Sequence, residues 1–224
     1  MQSLEPTLGQ PRAMSDLFSS QQTSQQEIAP GLTLLKGLVN GAEFMSLIQD
    51  IIKLAPARHM MTPMGHASKV AMSNCGPMGW VSDRQGYRYS PCDPTTGLHW
   101  PILPEAFSKL AQLSAKMAGI DDFTPDACLV NFYEIGVGMG KHQDIDEADF
   151  HWPIVSVSLG LPAVFQVSGA KRTGNNINIL LEDGDVLVIH GQARRFYHGI
   201  RALKADPLQP NLTHRYNLTL RKAT

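Results

Sequence analysis

Trp152-Pro-Ile-Val-Ser-Val-Ser-Leu-Gly-Leu-Pro-Ala-Val-Phe-Gln-Val167 decides the fold. Between Ile154 and Leu159, aliphatic residues alternate with Ser156 and Ser158, which puts the serines on one face of a strand and the aliphatics on the other. Gly160-Leu-Pro162 turns the chain into a second short strand, Ala163 to Val167. Two further runs, Ile177 to Leu181 and Asp185 to Ile189, flank Glu182-Asp-Gly-Asp185, which reads as a hairpin turn. Leu212-Thr-His-Arg-Tyr-Asn-Leu-Thr-Leu-Arg221 then alternates cleanly, and Ala127 to Tyr133 reads as a central strand upstream of all of these. Short strands joined by turns after residue 125, with the helices before it, predict a mainly β protein. The expected architecture is an antiparallel double sheet, a jelly roll over 125–224, with helices packed outside.

Two amphipathic helices lie upstream. Asn40 offers a cap, and Phe44, Leu47, Ile48, Ile51 and Ile52 fall on one face of a helix that ends before Pro56. Pro104 opens the second helix, where Phe107, Leu110, Ala111, Ser114 and Met117 recur at helical spacing before Gly119. Leu32 to Leu38 reads as a first short strand. Residues 1–27 are rich in Gln, Ser and Pro without a sustained period and read as a flexible arm.

Between Met60 and Pro101 the chain changes character. Met60, Met61, Met64 and Met72 mix with glycines and with Trp80, Tyr87, Tyr89 and Trp100. One reading is a glycine-rich connection whose aromatics fold back on the core. The other is a lid, because a planar substrate such as a nucleobase is gripped by stacked rings and adaptable thioethers. Alternation in Lys69 to Met72 and in Tyr87 to Ser90 suggests paired strands, with Tyr87 and Tyr89 on a shared face.

The chemistry concentrates in Asn131-Phe-Tyr-Glu-Ile-Gly-Val-Gly-Met-Gly-Lys-His142-Gln-Asp144-Ile-Asp146-Glu. On extended backbone, residues two apart point the same way, so His142 and Asp144 converge on one point. Two such ligands hold a divalent metal only with a third, and two histidines plus one carboxylate form the open face used for non-heme iron. His190 and His198 are the candidates for the third ligand. A jelly roll would set the His-x-Asp loop and His198 on opposite strands of one barrel mouth, and Gly199 permits close approach, which favours His198. Asp146 and Glu147 are not expected as ligands, since open positions must stay open.

Arg215, Asn217, Thr219 and Arg221 share one face of the last strand, with Tyr216, Leu218 and Leu220 on the other. Either the polar face is solvated, or it looks inward and its arginines grip a small dicarboxylic acid through bidentate forks. Asn131 and Tyr133 could bond the same molecule. Lys171, Arg172, Arg194, Arg195, Arg201 and Lys204 read singly as surface residues, and together they could neutralise a few phosphates.

Composition limits the alternatives. In 224 residues, 43% hydrophobic and 17% charged with a formal net charge of -1, there is material for one substantial core and no bulk attraction to polyanions. Three cysteines, Cys75, Cys92 and Cys128, follow no ligand spacing and argue against a disulfide framework. No apolar run approaches the length of about 18 residues needed to span a membrane. A soluble, cytoplasmic protein is expected.

Taken together, Asn131-x-Tyr133-x-x-Gly136, His142-x-Asp144, His198-Gly and Arg215-Tyr-Asn-Leu-Thr-x-Arg221 resemble the AlkB family of Fe(II)- and 2-oxoglutarate-dependent dioxygenases. The likeness runs from about Leu32 to Arg221 and includes Asn74-Cys-Gly, Gly79-Trp80, Tyr87-x-Tyr89-Ser-Pro and Phe196-Tyr-His-Gly-Ile. It implies a double-stranded β-helix in a single dioxygenase domain, 28–224, with a nucleotide-recognition lid at 60–101. It further implies that His142, Asp144 and His198 bind Fe(II), that Arg215 pairs with the far carboxylate of 2-oxoglutarate, and that Asn131, Tyr133, Asn217 and Arg221 surround that molecule. Trp80 would stack on a flipped base opposite His142, Tyr87 would meet the backbone phosphate, Asp146 would bond the base edge, and Arg172 would lie at the nucleic-acid surface. Met72 and Tyr89 are expected on the same substrate side. The implied reaction uses O2 to demethylate 1-methyladenine or 3-methylcytosine in single- or double-stranded DNA, or in RNA, by a monomeric enzyme. A hydroxylase of another substrate on the same scaffold is the alternative. Lys141, Ile145, Ile189 and His190 depart from the family pattern and bear on substrate range.

Overall fold

The computed structural model describes residues 24–224. The chain runs β1 (Ser24–Ala29), β2 (Leu32–Lys36), α1 (Gly41–Leu54), β3 (Ala71–Cys75), β4 (Gly79–Asp83), β5 (Gly86–Ser90) and α2 (Glu105–Met117). It continues as β6 (Ala127–Glu134), β7 (Met139–His142), β8 (Ile154–Gly160), β9 (Ala163–Val167), β10 (Ile177–Leu181) and β11 (Val186–Ile189). A short 3-10 helix, Gly191–Arg195, precedes β12 (His198–Ile200) and β13 (His214–Arg221).

A seven-stranded sheet in the order β1-β2-β11-β8-β13-β6-β3 accompanies a four-stranded sheet, β10-β9-β12-β7, and every pairing within them is antiparallel. This is the expected jelly roll, and its strands sort their faces as the alternation predicts. Leu218 and Leu220 of β13, with Val155, Val157 and Leu159 of β8, face outward into a core shared with Phe44, Ile48 and Ile51 of α1 and Phe107, Leu110 and Ala111 of α2. Phe44 and Phe107 stack there at 5.3 Å between ring centres. Asn40 caps α1 by accepting from the Ala42 N–H, and Gly119 leaves α2 at φ +81°. The alternate residues of the same strands look inward. Ile154, Phe165, Val167, Ile179, Leu187 and Ile189 close one end of the interior as a second apolar cluster, while β13 sends its arginines and asparagine into the other.

Several expectations change. Glu182 to Asp185 does make a turn, with Gly184 at φ +82° and the Asp185 N–H donating to the Glu182 carbonyl at 3.2 Å, but it joins no hairpin. β10 pairs with β9 in one sheet and β11 with β2 and β8 in the other, so the turn carries the chain between sheets. Lys69–Met72 and Tyr87–Ser90 contribute to strands that do not pair with each other: β3 borders β6 at the edge of the large sheet, and β5 pairs with β4 in a separate ribbon. Ala71–Cys75, within the range read as lid, is therefore a strand of the large sheet. Ser24–Glu27, read as the end of the arm, form β1 against β2; residues 1–23 lie outside the described residues. No helix among the described residues is long and apolar enough to cross a membrane.

Candidate active site

His142 closes β7 and His198 opens β12, and the two are direct partners in the ladder between these strands. They are thus neighbours, where sequence reading expected opposite strands. Close approach depends on Gly199, where a Cβ would lie 2.6 Å from the Met139 carbonyl oxygen. The imidazole centres are 4.6 Å apart, and Asp144 follows two residues after His142. Asp144 Oδ1 lies 3.7 Å from His142 Nε2, and its Oδ2 lies 3.4 Å from His198 Nε2. One ligand atom from each of the three residues falls within 4.8 Å of the others, the only such group of three or more among the described residues.

The second ring nitrogens fix which atom faces the centre. Nδ1 of His142 is 3.0 Å from the Gly140 carbonyl and Nδ1 of His198 is 3.0 Å from the Phe196 carbonyl. Each Nδ1 donates its proton there, leaving both Nε2 lone pairs directed at the centre, the outer hydrogen bonding typical of metal-bound histidine. Burial lowers the His142 pKa and so favours the neutral ring a metal requires. His190 is elsewhere, with Nε2 3.4 Å from Thr33 Oγ1. The donor set suits a divalent iron with open positions.

The polar face of β13 points inward. Arg215 is wholly buried; its Nη2 donates to Ser158 Oγ at 2.9 Å and its guanidinium lies 5.3 Å from the Tyr133 ring centre. Among the described residues its Nε and Nη1 find no partner, nor do Asn131 Oδ1 and Arg221 Nε. Four of the five partnerless buried side-chain atoms among the described residues thus belong to three residues lining one cavity. A buried guanidinium with two unsatisfied nitrogens is costly unless an anion enters. Burial lowers the Arg215 pKa, which an entering anion would offset, and pushes the Tyr133 hydroxyl up to about 12, so Tyr133 keeps its proton near neutrality. Asn217 donates to Ser156 Oγ at 2.9 Å. Ser156 and Ser158 were visible as one face of a strand but not as partners of Arg215 and Asn217, because the strand that meets β8 was not legible.

This cavity, of about 530 Å³, is also lined by Met72, Trp80, Tyr87, Asp146, Arg172, His142, Asp144 and His198. Its size falls in the range of small-molecule sites. Trp80 stacks on Tyr87 at 5.6 Å and 14° between ring planes, and donates from Nε1 to Asp146 Oδ2 at 2.7 Å. Asn74 grips the Trp80 backbone from both sides, accepting from its N–H and donating to its carbonyl, each at 2.9 Å. Arg172 donates through Nε and Nη2 to the Lys141 carbonyl, while Lys141 Nζ donates to Asn176 and to the Arg172 carbonyl.

Two residues lie where the sequence did not suggest. Tyr89 does not line the cavity; its hydroxyl donates to Glu147 Oε1 at 2.8 Å. Arg194, read as a surface cation, is 2% exposed and pairs with Glu147 at 3.0 Å. Arg221, which the resemblance sets around 2-oxoglutarate, lines the cavity, and its terminal nitrogens go to Asp144 and Glu147.

Comparison with known proteins agrees with this geometry. The model of the 2OG-Fe(II) oxygenase superfamily matches residues 31–221. The chain is 48% identical to the alpha-ketoglutarate-dependent dioxygenase AlkB of Escherichia coli K12 over 94% of its length and 98% of that protein's. The chain belongs to the AlkB family. The AlkB of Salmonella typhimurium is 46% identical, over 94% of this chain and 98% of that one. Among solved structures, OsALKBH1 superposes with a TM-score of 0.75 at 28% identity, covering 89% of this chain and all of that one. As a member of this family the enzyme is an Fe(II)- and 2-oxoglutarate-dependent dioxygenase that consumes O2.

Proposed function

We propose that this AlkB-family enzyme demethylates N-alkylated bases in DNA. The observation that carries the reading is the join, in one cavity, of the His142-Asp144-His198 face, the unsatisfied Arg215 guanidinium and the stacked Trp80-Tyr87 pair beside the Asp146 carboxylate. Iron and 2-oxoglutarate, when bound, supply an oxidant able to hydroxylate an N-methyl group. The protein's part is placement. Arg215 would hold the far carboxylate of 2-oxoglutarate through its unpartnered nitrogens, while Asn131, Tyr133 and Asn217 would bond the rest of that molecule. Arg221, bonded to Asp144, stands beside it. Trp80 and Met72 flank a flipped base against His142, and Asp146 faces its edge. Both 1-methyladenine and 3-methylcytosine carry positive charge, which an acidic residue and aromatic faces favour. Tyr87 and Arg172, at the rim, meet backbone phosphates. In balance, O2 and 2-oxoglutarate become succinate and CO2 with one oxygen passing to the methyl carbon; the hemiaminal then releases formaldehyde and the unmodified base.

The modest basic surface suits single-stranded DNA, or RNA, more than intact duplex, since flipping an unpaired base is cheap. We read the enzyme as a cytoplasmic monomer, with 28–224 as a single domain. Of the four departures from the family pattern, Lys141, Ile145 and Ile189 line the cavity and would bear on lesion range, whereas His190 does not line it. Fe(II) and 2-oxoglutarate are bound without oxygen, a 3-methylcytosine oligonucleotide is added, and its mass is read after oxygen is admitted. Loss of one methyl with release of formaldehyde is expected; 2-oxoglutarate turnover that methylated DNA or RNA does not stimulate would instead favour a hydroxylase of another substrate.

A further inference from the structure

Asp144 does not stand alone behind the metal face. Its Oδ2 is 3.0 Å from Arg221 Nη2, and Arg221 Nη1 is 2.9 Å from Glu147 Oε1. The other oxygen of Glu147 accepts from Arg194 Nη2 at 3.0 Å, and Arg194 also donates through Nε to the Trp152 carbonyl at 3.0 Å. Tyr89, from β5, closes the group by donating to Glu147. Asp144, Glu147, Arg194 and Arg221 are each under a tenth exposed, and their formal charges cancel. Glu147 sits next to the cavity-lining Asp146 in sequence, yet it does not line the cavity itself.

The balance matters to the ligand. Arg221 shared between two carboxylates draws less electron density from Asp144 than Arg221 paired with Asp144 alone. It is also held from two sides, so the carboxylate it touches has a fixed orientation. We infer that Glu147, anchored by Arg194, is a positioning residue for iron binding: it holds and partly neutralises Arg221 so that Asp144 keeps both its orientation and its donor strength. Glu147 touches neither metal nor substrate and acts through Arg221. The assignment concerns the metal face only, so a failure of methylated DNA as substrate would leave it standing.

Co(II), a visible-absorbing stand-in for Fe(II), is titrated into the full-length protein in the presence of 2-oxoglutarate. In E147Q, which keeps the side-chain shape and removes the charge, the Co(II) affinity should fall by about 10- to 100-fold and the visible band of the bound ion should change. E147L/R194M replaces the buried pair by apolar side chains of similar size, a change such pairs often tolerate, and it answers the question in case E147Q does not fold. Its Co(II) affinity should also fall, because Asp144 is then the only carboxylate on Arg221 and loses the Arg194 Nη1 contact to its main-chain carbonyl as well. Native affinity with an unchanged Co(II) spectrum in the folded variant overturns the inference, whatever happens to the thermal midpoint.

Discussion

His142 and His198 are cross-strand partners in the β7-β12 ladder, and the glycine after His198 has a backbone carbonyl where a side chain would go. Two ligands of the metal face are therefore set by backbone hydrogen bonding, and only Asp144 comes from a loop. Gly199→Ala should push β12 from β7, costing about 1–3 kcal/mol of stability through overpacking. Because the two imidazoles separate with their strands, Co(II) affinity should fall even at temperatures where the variant remains folded. Native metal affinity in G199A would mean that the ladder does not set the ligand spacing. Replacing His142 itself with Ala should abolish Fe(II)-dependent 2-oxoglutarate turnover, a loss beyond the roughly 10- to 100-fold expected for groups that only orient a ligand.

Arg215 gives opposite expectations for the empty and loaded protein. Two of its nitrogens are buried without partners, so Arg215→Met should raise the thermal midpoint of the protein without co-substrate, by on the order of 1 kcal/mol of stability. The same change removes half of a buried ion pair once 2-oxoglutarate is present. It should weaken co-substrate binding by about 2–5 kcal/mol, a rise in KM of roughly 30-fold or more. Melts of both proteins without ligand, and in Mn(II) with and without 2-oxoglutarate, check both halves, since 2-oxoglutarate should add stability to the native protein and little or none to R215M.

Substrate recognition should separate from the iron chemistry at Trp80. Removing the ring in Trp80→Ala should cost about 1–3 kcal/mol of base stacking, read as a rise of roughly 5- to 150-fold in KM for a methylated oligonucleotide. Basal 2-oxoglutarate turnover without oligonucleotide should be unaffected. Asp146→Asn retains an acceptor for the indole N–H and loses the charge, so it should discriminate against the cationic lesion 3-methylcytosine more than against a neutral one. Equal losses on both would remove Asp146 from recognition of charge.

At the rim, Lys141 and Arg172 hold each other through main-chain carbonyls rather than through opposite charges. Both cations therefore remain available to a polyanion. Arg172→Ala should flatten the salt dependence of binding to single-stranded oligonucleotide by about 0.7 in the log-log slope, the release of roughly one counterion. Its thermal midpoint should scarcely move, because exposed contacts of this kind contribute about 0–1 kcal/mol.

The segment before β3 is tied down by Arg58, which donates through both terminal nitrogens to the buried Asp93 carboxylate in the turn after β5. Burial alone would raise the Asp93 pKa; the Arg58 guanidinium and the Thr95 backbone N–H outweigh it and hold it below the ordinary 3.8. A depressed folded-state value means that the contribution is complete above the unfolded value and disappears as pH falls through the folded one. Native protein should therefore lose this increment below about pH 4, while Asp93→Asn should have lost it already at neutral pH. Chemical denaturation of both proteins between pH 7 and 3 should show the difference in stability narrowing with acid; a constant difference would discount the charge of Asp93.

Local alternation in the sequence was enough to establish which side chains share a face. Ser156 with Ser158, Arg215 with Asn217 and Arg221, and Leu218 with Leu220 all fall as the two-residue period requires, because the pleat fixes side-chain direction within a strand whatever lies beside it. The helices were equally legible from their apolar spacing and caps. The pairing of strands was not. Glu182–Asp185 has the local chemistry of a hairpin turn, yet the flanking strands go to different sheets, since the partner of a strand is chosen by distant apolar faces competing for burial. Burial of charge is likewise a tertiary decision: Arg194 is indistinguishable from Arg195 in sequence, and only the arrival of Glu147 and the Trp152 carbonyl makes it the buried member of the pair. The residues proposed for the chemistry were legible in the sequence itself, whereas their convergence in one cavity, and the network that holds Asp144, exist because hydrogen bonding between remote strands brings them within a few ångströms.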